Sequence, residues 1–286
     1  MKKILIIGAK GLLGPELVRV FKQDSTYDVI GWDTEDIDIG DKDSVDGKIM
    51  DLKPDIIINA AAYNAVDKAE EPEGYELAKR INGLAPGYLA SAAREIGAIV
   101  VHYSTDYVFD GNNPEGYHEL SVPNPISKYG ASKYLGEIEL QRHGEKYYLI
   151  RLQKMFGKPS NNPNAKKSFF ETMLNLAKTQ DVIKVVDDEL SNFTYAPDLA
   201  GRTKFLLENQ LPFGIYHITN EGAPVTWYGA AKILFELACI THVRLIPVSP
   251  EEFPRPAKRP KYSILINTKL EPLRSWPNAL KEFLGH

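Results

Sequence analysis

KILIIGAKGLLGPEL, residues 3–17, is the most informative segment of the sequence for the fold. An apolar run typical of a strand covered on both faces ends at Gly8, and a helical pattern follows it closely. Gly8 suits a tight turn, Gly11 allows a backbone to approach a pyrophosphate, and Gly14 allows close packing of helix and strand. The helix N-terminus behind them offers free N–H groups and a positive dipole end to an anion. The turn therefore predicts a dinucleotide site.

The same alternation of apolar runs and helical patterns continues outward from this turn. Further strand-like runs lie at 28–33, 55–60, 98–104 and 147–152, with amphipathic helical patterns at 12–22, 74–96 and 127–142. Strands that alternate with helices predict right-handed βαβ units and a parallel, doubly wound sheet. We therefore expect an α/β fold of the Rossmann type.

The alternation becomes less regular after residue 152, which indicates a second lobe. Helical patterns at 168–178, 198–208 and 227–238 are separated by short strand-like runs such as VIKVV and GIYHIT. The proline-rich stretches 157–167 and 249–261 are predicted to be loops. We expect a dinucleotide-binding domain at 1–152 and a smaller α/β substrate-binding lobe at 153–286, some of whose segments return to the first domain.

Composition excludes several classes of protein. The 286 residues are 43% hydrophobic and 25% charged, as in soluble globular proteins. A formal charge of -4 gives no reason to expect nucleic acid or an anionic membrane as a partner. Cys239 is the only cysteine, so we expect neither a disulfide framework nor a cysteine-based zinc site, and no metal. No signal-peptide pattern and no apolar run near ~18 residues is present, so the expected location is cytoplasmic.

Asp33 follows the second strand-like run, about 20 residues beyond the glycines, where a carboxylate accepts a hydrogen bond from the adenosine ribose. The alternative is an aspartate that caps a helix or a turn. A carboxylate at this position repels a 2′-phosphate, so Asp33 favours NADH over NADPH. Asp38 and Ile39 follow, and we expect them at the edge and the face of the adenine. The small residues of NAAAYN, residues 59–64, either allow a cofactor close to the backbone or simply pack tightly.

Polar side chains end the fourth strand-like run, in VHYSTDYVFDG, residues 101–111. Ligands of doubly wound sheets bind at the carboxyl ends of strands, so Ser104, Thr105 and Asp106 are expected to face the ligand. Capping or turn roles are the alternative for each of them. SKYGASKY, residues 127–134, then places Tyr129 and Lys133 one turn apart on a helix.

Tyr129 and Lys133 form a candidate acid–base pair. A phenol has an unperturbed pKa of about 10, and a nearby ammonium is expected to lower the pKa of Tyr129 and favour the phenolate. The pair can then exchange a proton with a carbonyl or alcohol oxygen, which the Thr105 hydroxyl also holds. Y-x-x-x-K alone is common on helix surfaces. Its combination with the glycine-rich turn and the strand-end hydroxyl favours the reactive interpretation.

Together these motifs resemble the extended short-chain dehydrogenase/reductase superfamily, and within it the dTDP-4-dehydrorhamnose reductase family. The resemblance is carried across nearly the whole chain by NAAAYNAVDKAE, VHYSTDYVFDG, YGASKYLGE, FFETMLNLAK and RPKYSIL. It implies that Thr105, Tyr129 and Lys133 are catalytic and that Thr105 and Asp106 touch the sugar. The positions implied to contact NADH or NADPH are Gly11, Leu12, Leu13, Asp33, Asp38, Ile39, Ala62, Tyr63 and Asn64.

The activity implied by this resemblance is reduction of the 4-keto group of a nucleotide-linked deoxysugar, with dTDP-4-dehydrorhamnose as the first candidate. The related dehydratases follow the threonine with an Asp-Glu pair, whereas Tyr107 follows Asp106 here, so the acid for eliminating water is absent. Two alternatives stay open. One is reduction of a different 4-keto nucleotide sugar, and the other is a cofactor-binding regulatory subunit similar to the beta subunit of methionine adenosyltransferase. A homodimer is also left open.

The departures from the family pattern lie in the second lobe. The family pattern R-T-S-W-V-Y is replaced by RLQKMF, which puts Lys154 at the position of a tryptophan that packs on the substrate. D-Q-x-G-x-P-T is replaced by DELSNFT, which introduces Glu189. Lys154 has three possible roles: it pairs with Glu189, extends to solvent, or contacts a polar substituent of the sugar. We therefore include both residues among the candidate substrate contacts.

Overall fold

Strands and helices alternate along most of the chain, whose computed structural model describes residues 1–158 and 167–286. In chain order the elements are β1 (Lys2–Ile7), α1 (Gly14–Lys22), β2 (Tyr27–Trp32), α2 (Lys42–Leu52), β3 (Ile56–Asn59), α3 (Pro72–Ala78), α4 (Ala85–Ile96), β4 (Ile99–Thr105), α5 (Lys128–His143), β5 (Tyr147–Leu152), β6 (Met155–Phe156), α6 (Phe169–Leu176), β7 (Val182–Val186), β8 (Thr194–Tyr195), α7 (Ala196–Glu208), β9 (Gly214–His217), β10 (Asn220–Glu221), α8 (Trp227–Leu237), β11 (Arg244–Val248), β12 (Leu273–Ser275) and α9 (Trp276–Leu284). Most of the predicted loop at 157–167 lies outside the described residues.

The largest sheet has six strands in the order β2-β1-β3-β4-β5-β9, and each neighbouring pair is parallel. Alternate residues of β1 enter different cores. Ile4 and Ile6 pack with α1 and α7 on one face, while Leu5 and Ile7 pack with α2 and α4 on the other. Both faces of the strand are therefore covered, which explains its uninterrupted apolar sequence. The prediction of a doubly wound parallel sheet is confirmed.

The second lobe contributes to the same sheet. The run GIYHIT, predicted as a short strand of that lobe, forms β9 and pairs with β5 at the edge of the large sheet. The lobe's own strands form two-stranded sheets, β7 with β11, β6 with β8 and β10 with β12. Its separate apolar core is built around Phe170, Phe193, Leu234 and Trp276. The boundary at residue 152 remains a prediction.

The helical pattern predicted at 74–96 is helical throughout, but it is not uniformly α-helical. The chain forms α3, then a π-helical turn at Lys79–Leu84, and then α4. Pro86 lacks an N–H group, so it cannot bond the carbonyl of Asn82 four residues earlier. The Asn82 side chain instead bonds the loop after β3 and the Ser132 hydroxyl of α5. A π-helical turn inside a longer helix is frequent at functional sites.

No helix within the described residues is long and apolar enough to cross a membrane. The same residues contain no group of three or more His, Cys, Asp or Glu side chains placed to hold a metal ion.

Candidate active site

The glycine-rich turn connects β1 to α1 at the carboxyl end of the large sheet. Gly8 has a φ of +81°, and a Cβ atom there would lie 2.7 Å from the backbone nitrogen of Ala61. A Cβ atom on Gly14 would lie 2.3 Å from the carbonyl oxygen of Gly8. These two glycines therefore let the turn fold against itself and against the end of β3. Gly11 is less constrained, since its Cβ would approach only the Gly8 oxygen, at 3.3 Å.

Leu12 and Leu13 complete the turn. The Leu13 side chain is buried in the core beneath α1, whereas Leu12 is half-buried. Pro15 stands in the first turn of α1, where its missing N–H needs no partner. The N-terminus of α1 thus points its free amides and positive dipole end towards this turn, as an anion site requires.

Asp33 lies immediately after β2 and faces the glycine-rich turn. Its Oδ2 accepts a 2.9 Å hydrogen bond from the backbone N–H of Lys10, and its Oδ1 accepts one from Thr34. The carboxylate therefore stabilises the backbone of the turn, which agrees with the alternative role of a turn aspartate. It also lies beside the predicted cofactor site. Lys10 forms an exposed ion pair with Glu35 at 2.8 Å.

Asp38 and Ile39, the predicted adenine contacts, have different environments. Asp38 is half-exposed, and its carboxylate accepts hydrogen bonds from Gly40 N–H at 2.9 Å and from Arg80 at 3.3 Å. Ile39 is only 5% exposed and packs in the core beside α2. Little of the Ile39 side chain is thus available to an adenine, and its predicted contact role remains untested.

The segment Ala62, Tyr63 and Asn64 follows β3 at the same edge of the sheet. The Asn82 amide holds this segment, because its Oδ1 accepts from Tyr63 N–H at 2.8 Å and its Nδ2 donates to Tyr63 O at 3.0 Å. The Asn64 Oδ1 lies 3.4 Å from the Tyr129 hydroxyl, which donates to it. The predicted cofactor segment is therefore in direct contact with the predicted catalytic phenol.

Thr105 is the last residue of β4, and its hydroxyl has two bonds. It donates to Asp106 Oδ1 at 2.9 Å and accepts from the Tyr107 N–H at 3.2 Å. Burial raises the pKa of Asp106 to about 6, against the opposing effects of the Ser263 and Thr105 hydroxyls and of the Lys154 charge. Asp106 is thus a buried carboxyl that takes up a proton at a higher pH than an ordinary aspartate does.

Tyr129 lies in the first turn of α5, which Ser127 caps by accepting from Gly130 N–H at 3.1 Å. Tyr107 packs edge-on against the phenol, with ring centroids 5.7 Å apart. Burial raises the pKa of Tyr129, the Asp106 charge raises it further, and the neighbouring Thr105 hydroxyl opposes both. The expectation that Lys133 lowers this pKa is wrong, because burial dominates and favours the neutral phenol.

Lys133 is buried behind Tyr129 and held by β4. Its ammonium donates to the Tyr103 carbonyl oxygen at 2.6 Å and lies 3.5 Å from His102 Nε2. Burial lowers the pKa of Lys133 to about 8. Burial and the Lys133 charge lower the pKa of His102 well below its ordinary value, so the imidazole is neutral. His102 Nδ1 in turn lies 3.2 Å from Asn59 Nδ2, so the lysine is connected through His102 to the end of β3.

Lys154 does not extend to solvent. Its ammonium lies 3.7 Å from the centre of the Trp227 ring and donates to the backbone carbonyl oxygen of Glu189 at 2.9 Å. Burial lowers the pKa of Lys154 to about 7, although the charges of Glu189 and Asp106 oppose that shift. Lys154 is therefore a partly buried cation whose charge acts on Asp106.

Other residues bond the Glu189 carboxylate. Of the three roles considered for Lys154, pairing with Glu189 therefore takes the form of a contact with the Glu189 backbone. Arg255 forms an ion pair with Glu189 Oε1, and the Trp227 indole N–H donates to Oε2 at 2.7 Å. A second ion pair joins the loop after β3 to the proline-rich segment 249–261. The Arg259 guanidinium donates two 2.7 Å hydrogen bonds to the Asp67 carboxylate. That segment therefore crosses from one lobe to the other near the predicted site.

The sequence pattern of the family described as RmlD substrate binding domain matches residues 1–286, the full length of this chain. The chain belongs to this family. The resemblance inferred from its motifs is thereby confirmed.

Relatives that resemble the chain over its whole length carry consistent names. dTDP-4-dehydrorhamnose reductase of Aggregatibacter actinomycetemcomitans is 36% identical, with 100% of this chain and 99% of the relative covered. Spore coat polysaccharide biosynthesis protein SpsK of Bacillus subtilis is also 36% identical, with coverage of 99% and 97%. The crystal structure of the Bacillus anthracis dTDP-4-dehydrorhamnose reductase in complex with NADP has a TM-score of 0.92, 37% identity and 99% coverage of both chains.

Several residues of this RmlD-family site were not found from the sequence. His102 lies in the apolar run that ends at Thr105 and Asn82 in the helical pattern at 74–96, but nothing local distinguished them from core or helix residues. Trp227 and Arg255 are far from these positions in the chain, and in the folded lobe Trp227 meets Lys154 while Arg255 meets Glu189. The structure brings Thr105, Tyr129 and Asn64 together, and it places Lys154 between the Glu189 backbone and the Asp106 charge.

Proposed function

We propose that this chain catalyses the NADH- or NADPH-dependent reduction of the 4-keto group of a nucleotide-linked deoxysugar, converting dTDP-4-dehydrorhamnose to dTDP-L-rhamnose. One observation carries the proposal: a protonated, buried Tyr129 phenol lies beside the Thr105 hydroxyl at the carboxyl end of the sheet that also presents the glycine-rich turn. The names of the full-length relatives support the same reaction.

The residues of the site fit a dinucleotide. Gly8, Gly11, Leu12, Leu13 and Gly14 would hold its pyrophosphate at the N-terminus of α1, through backbone N–H groups and the helix dipole. Asp33 would accept from the adenosine ribose. The nicotinamide end would then lie along Ala62–Asn64 towards Tyr129, and the reduced cofactor supplies a hydride to the ketone carbon when bound.

Tyr129 acts as the general acid in this proposal. Because burial and the Asp106 charge raise its pKa, the phenol keeps its proton at neutral pH and can give it to the ketone oxygen as that oxygen gains negative charge. The Thr105 hydroxyl now donates to Asp106, so it must rotate to donate to the same oxygen. A protonated phenol is the form that donates a proton, which is the step that reduction of the ketone needs.

Lys133 is a positioning residue for the cofactor and the phenol. Its bonds to β4 fix the ammonium one helical turn from Tyr129, where its remaining N–H groups would hold the cofactor. The small-molecule partner in this proposal is the nucleotide sugar. A cytoplasmic location and a homodimer remain predictions from the sequence.

The proposal is tested by following oxidation of NADH and of NADPH by the purified chain with a panel of nucleotide-linked 4-keto sugars. We expect dTDP-4-dehydrorhamnose to be reduced, and mass spectrometry should identify dTDP-L-rhamnose as the product. Binding of cofactor without reduction of any sugar in the panel would contradict the proposal. That outcome would favour the alternative of a cofactor-binding regulatory subunit.

A further inference from the structure

Both departures from the family pattern have a strained backbone. Lys154 has a φ of 25° and Glu189 a φ of 66°, in the left-handed region that residues other than glycine rarely adopt. The two residues are bonded to each other through the Lys154 ammonium and the Glu189 carbonyl oxygen. Strain of this kind persists only where the surrounding structure imposes it, and it concentrates at ligand sites.

The Lys154 ammonium is held in one place by its neighbours. The Trp227 ring lies 3.7 Å below it and the Phe193 ring 5.6 Å away, so two aromatic faces stabilise the cation. Trp227 is itself fixed by its hydrogen bond to Glu189. An ammonium has three N–H donors, and the hydrogen bonds within the described residues use one of them, towards Glu189 O. The remaining donors are available to a ligand.

The Asp106 carboxylate next to this cation lacks a donor. Asp106 is 2% exposed, and its Oδ2 accepts no hydrogen bond of normal geometry from any residue that the structure describes. The Ser263 hydroxyl and the Lys154 ammonium are near enough to lower the pKa of Asp106, but neither completes such a bond. A buried acceptor without a donor is costly, so its natural complement is a donor on the ligand.

Charge balance limits what this ligand group can be. Lys154 and Arg255 are cations, and Asp106 and Glu189 are carboxylates, so the cluster is already neutral as a whole. A carboxylate on the sugar would be repelled by Asp106, and an ammonium by Lys154. A hydroxyl group both accepts and donates, so it satisfies a spare donor and an unpaired acceptor without adding charge.

We propose that Lys154 is a specificity-determining residue that binds one ring hydroxyl of the substrate together with Asp106, with Lys154 donating to the hydroxyl oxygen and Asp106 Oδ2 accepting its proton. The inference rests on the proposed function and assigns the substrate feature that the second lobe recognises. An apolar indole at position 154, as in the family pattern, covers the sugar without such a bond. The Trp227 indole lies instead beneath the ammonium.

The test combines variants of position 154 with substrates that lack one hydroxyl. Lys154→Met keeps the stem and removes the cation, and we expect it to raise KM for dTDP-4-dehydrorhamnose by about 10- to 100-fold. The Kd for NADH and NADPH should not change. With the 2-deoxy or the 3-deoxy analogue, whichever lacks the recognised hydroxyl, wild type and Lys154→Met should have similar KM values. Lys154→Arg should recover part of the loss.

Lys258→Met is the matched control, because Lys258 is an exposed lysine of the neighbouring segment and its loss should leave KM unchanged. Binding of dTDP-L-rhamnose, measured by calorimetry with oxidised cofactor present, separates the two claims. If wild type binds this ligand but reduces no sugar, the proposed function is contradicted and the role of Lys154 in binding is not. A Lys154→Met variant that binds it as tightly as wild type, or loses equally on both deoxy analogues, overturns the role of Lys154.

Discussion

The ammonium of Lys133 donates a 2.6 Å hydrogen bond to the backbone carbonyl oxygen of Tyr103, on the strand that ends in Thr105. Lys133 shares a helix face with Tyr129, one turn away, yet its charge is directed to β4. The phenol therefore keeps a raised pKa, and the lysine, whose pKa is about 8, is a buried group fixed by the sheet. This division of roles makes the general acid and its positioning residue separately testable.

Replacing Tyr129 by Phe removes the hydroxyl and keeps the ring that packs against Tyr107. We expect kcat to fall by at least ~10²-fold, the usual loss when a general acid is removed, with unchanged cofactor affinity and thermal stability. Steady-state kinetics and a fluorescence titration of NADPH measure the two effects. Tyr134→Phe, on the same helix, serves as the control and should retain full activity. Near-normal turnover of the Tyr129 variant would remove the assigned role.

Replacing Asp33 by Ala should shift cofactor preference towards NADPH. In wild type we expect NADH to bind at least as well as NADPH, since the carboxylate repels a 2′-phosphate. The substitution also removes the bond to Lys10 N–H, so some affinity for both cofactors should be lost. The measurement is the ratio of the two Kd values, with Asp28→Ala, at the far end of β2, as a charge-matched control. Much tighter binding of NADPH than of NADH by wild type would show that this interpretation of Asp33 is wrong.

Removing one partner of the buried ion pair between Glu137 and Arg151 should destabilise the fold strongly. The two side chains are 0% and 2% exposed and meet at 2.6 Å. Glu137→Gln leaves the Arg151 charge uncompensated in the core, and we expect the free energy of unfolding to fall by about 3–5 kcal/mol.

Urea denaturation measures this loss. The control is Glu139→Gln on the same helix, which weakens the solvent-accessible contacts of Glu139 with Arg142 at 3.9 Å and with His143 at 3.3 Å. That substitution should cost less than about 1 kcal/mol. Equal losses in the two variants would mean that burial does not govern these pairs.

Asp106 should make stability depend on pH in the acidic range. Its folded pKa is about 6 against an ordinary value of 3.8, so between these values the folded chain holds a proton that the unfolded chain has released. Its contribution to stability is therefore complete below roughly pH 4 and is lost as the pH rises to about 6.

Asp106→Asn removes this titration. The free energy of unfolding of the variant, relative to wild type, should rise across that interval, by at most about 3 kcal/mol. Urea denaturation at several pH values gives the difference. Parallel pH profiles of the two proteins would show that the Asp106 pKa is not raised.

Features that depend on residues close together in the chain could be predicted from the sequence. The glycine spacing and the apolar runs predicted the βα turn and the parallel sheet, because turn geometry and burial on both faces depend on residues only a few positions apart. The four-residue spacing of Tyr129 and Lys133 fixed a shared helix face for the same reason. The strand-end position of Thr105 placed its hydroxyl at the carboxyl edge of the sheet.

Tertiary structure decided which side chains these groups meet. Lys133 bonds Tyr103 and not the phenol, and Lys154 packs on Trp227 instead of extending to solvent. The π-helical turn at Lys79–Leu84 interrupts an otherwise helical pattern, because Asn82 bonds a loop from another part of the chain. These partners are separated by tens of residues, and their meeting depends on how whole elements pack. Burial in that packing, and not residue type, sets the pKa values on which the chemistry depends.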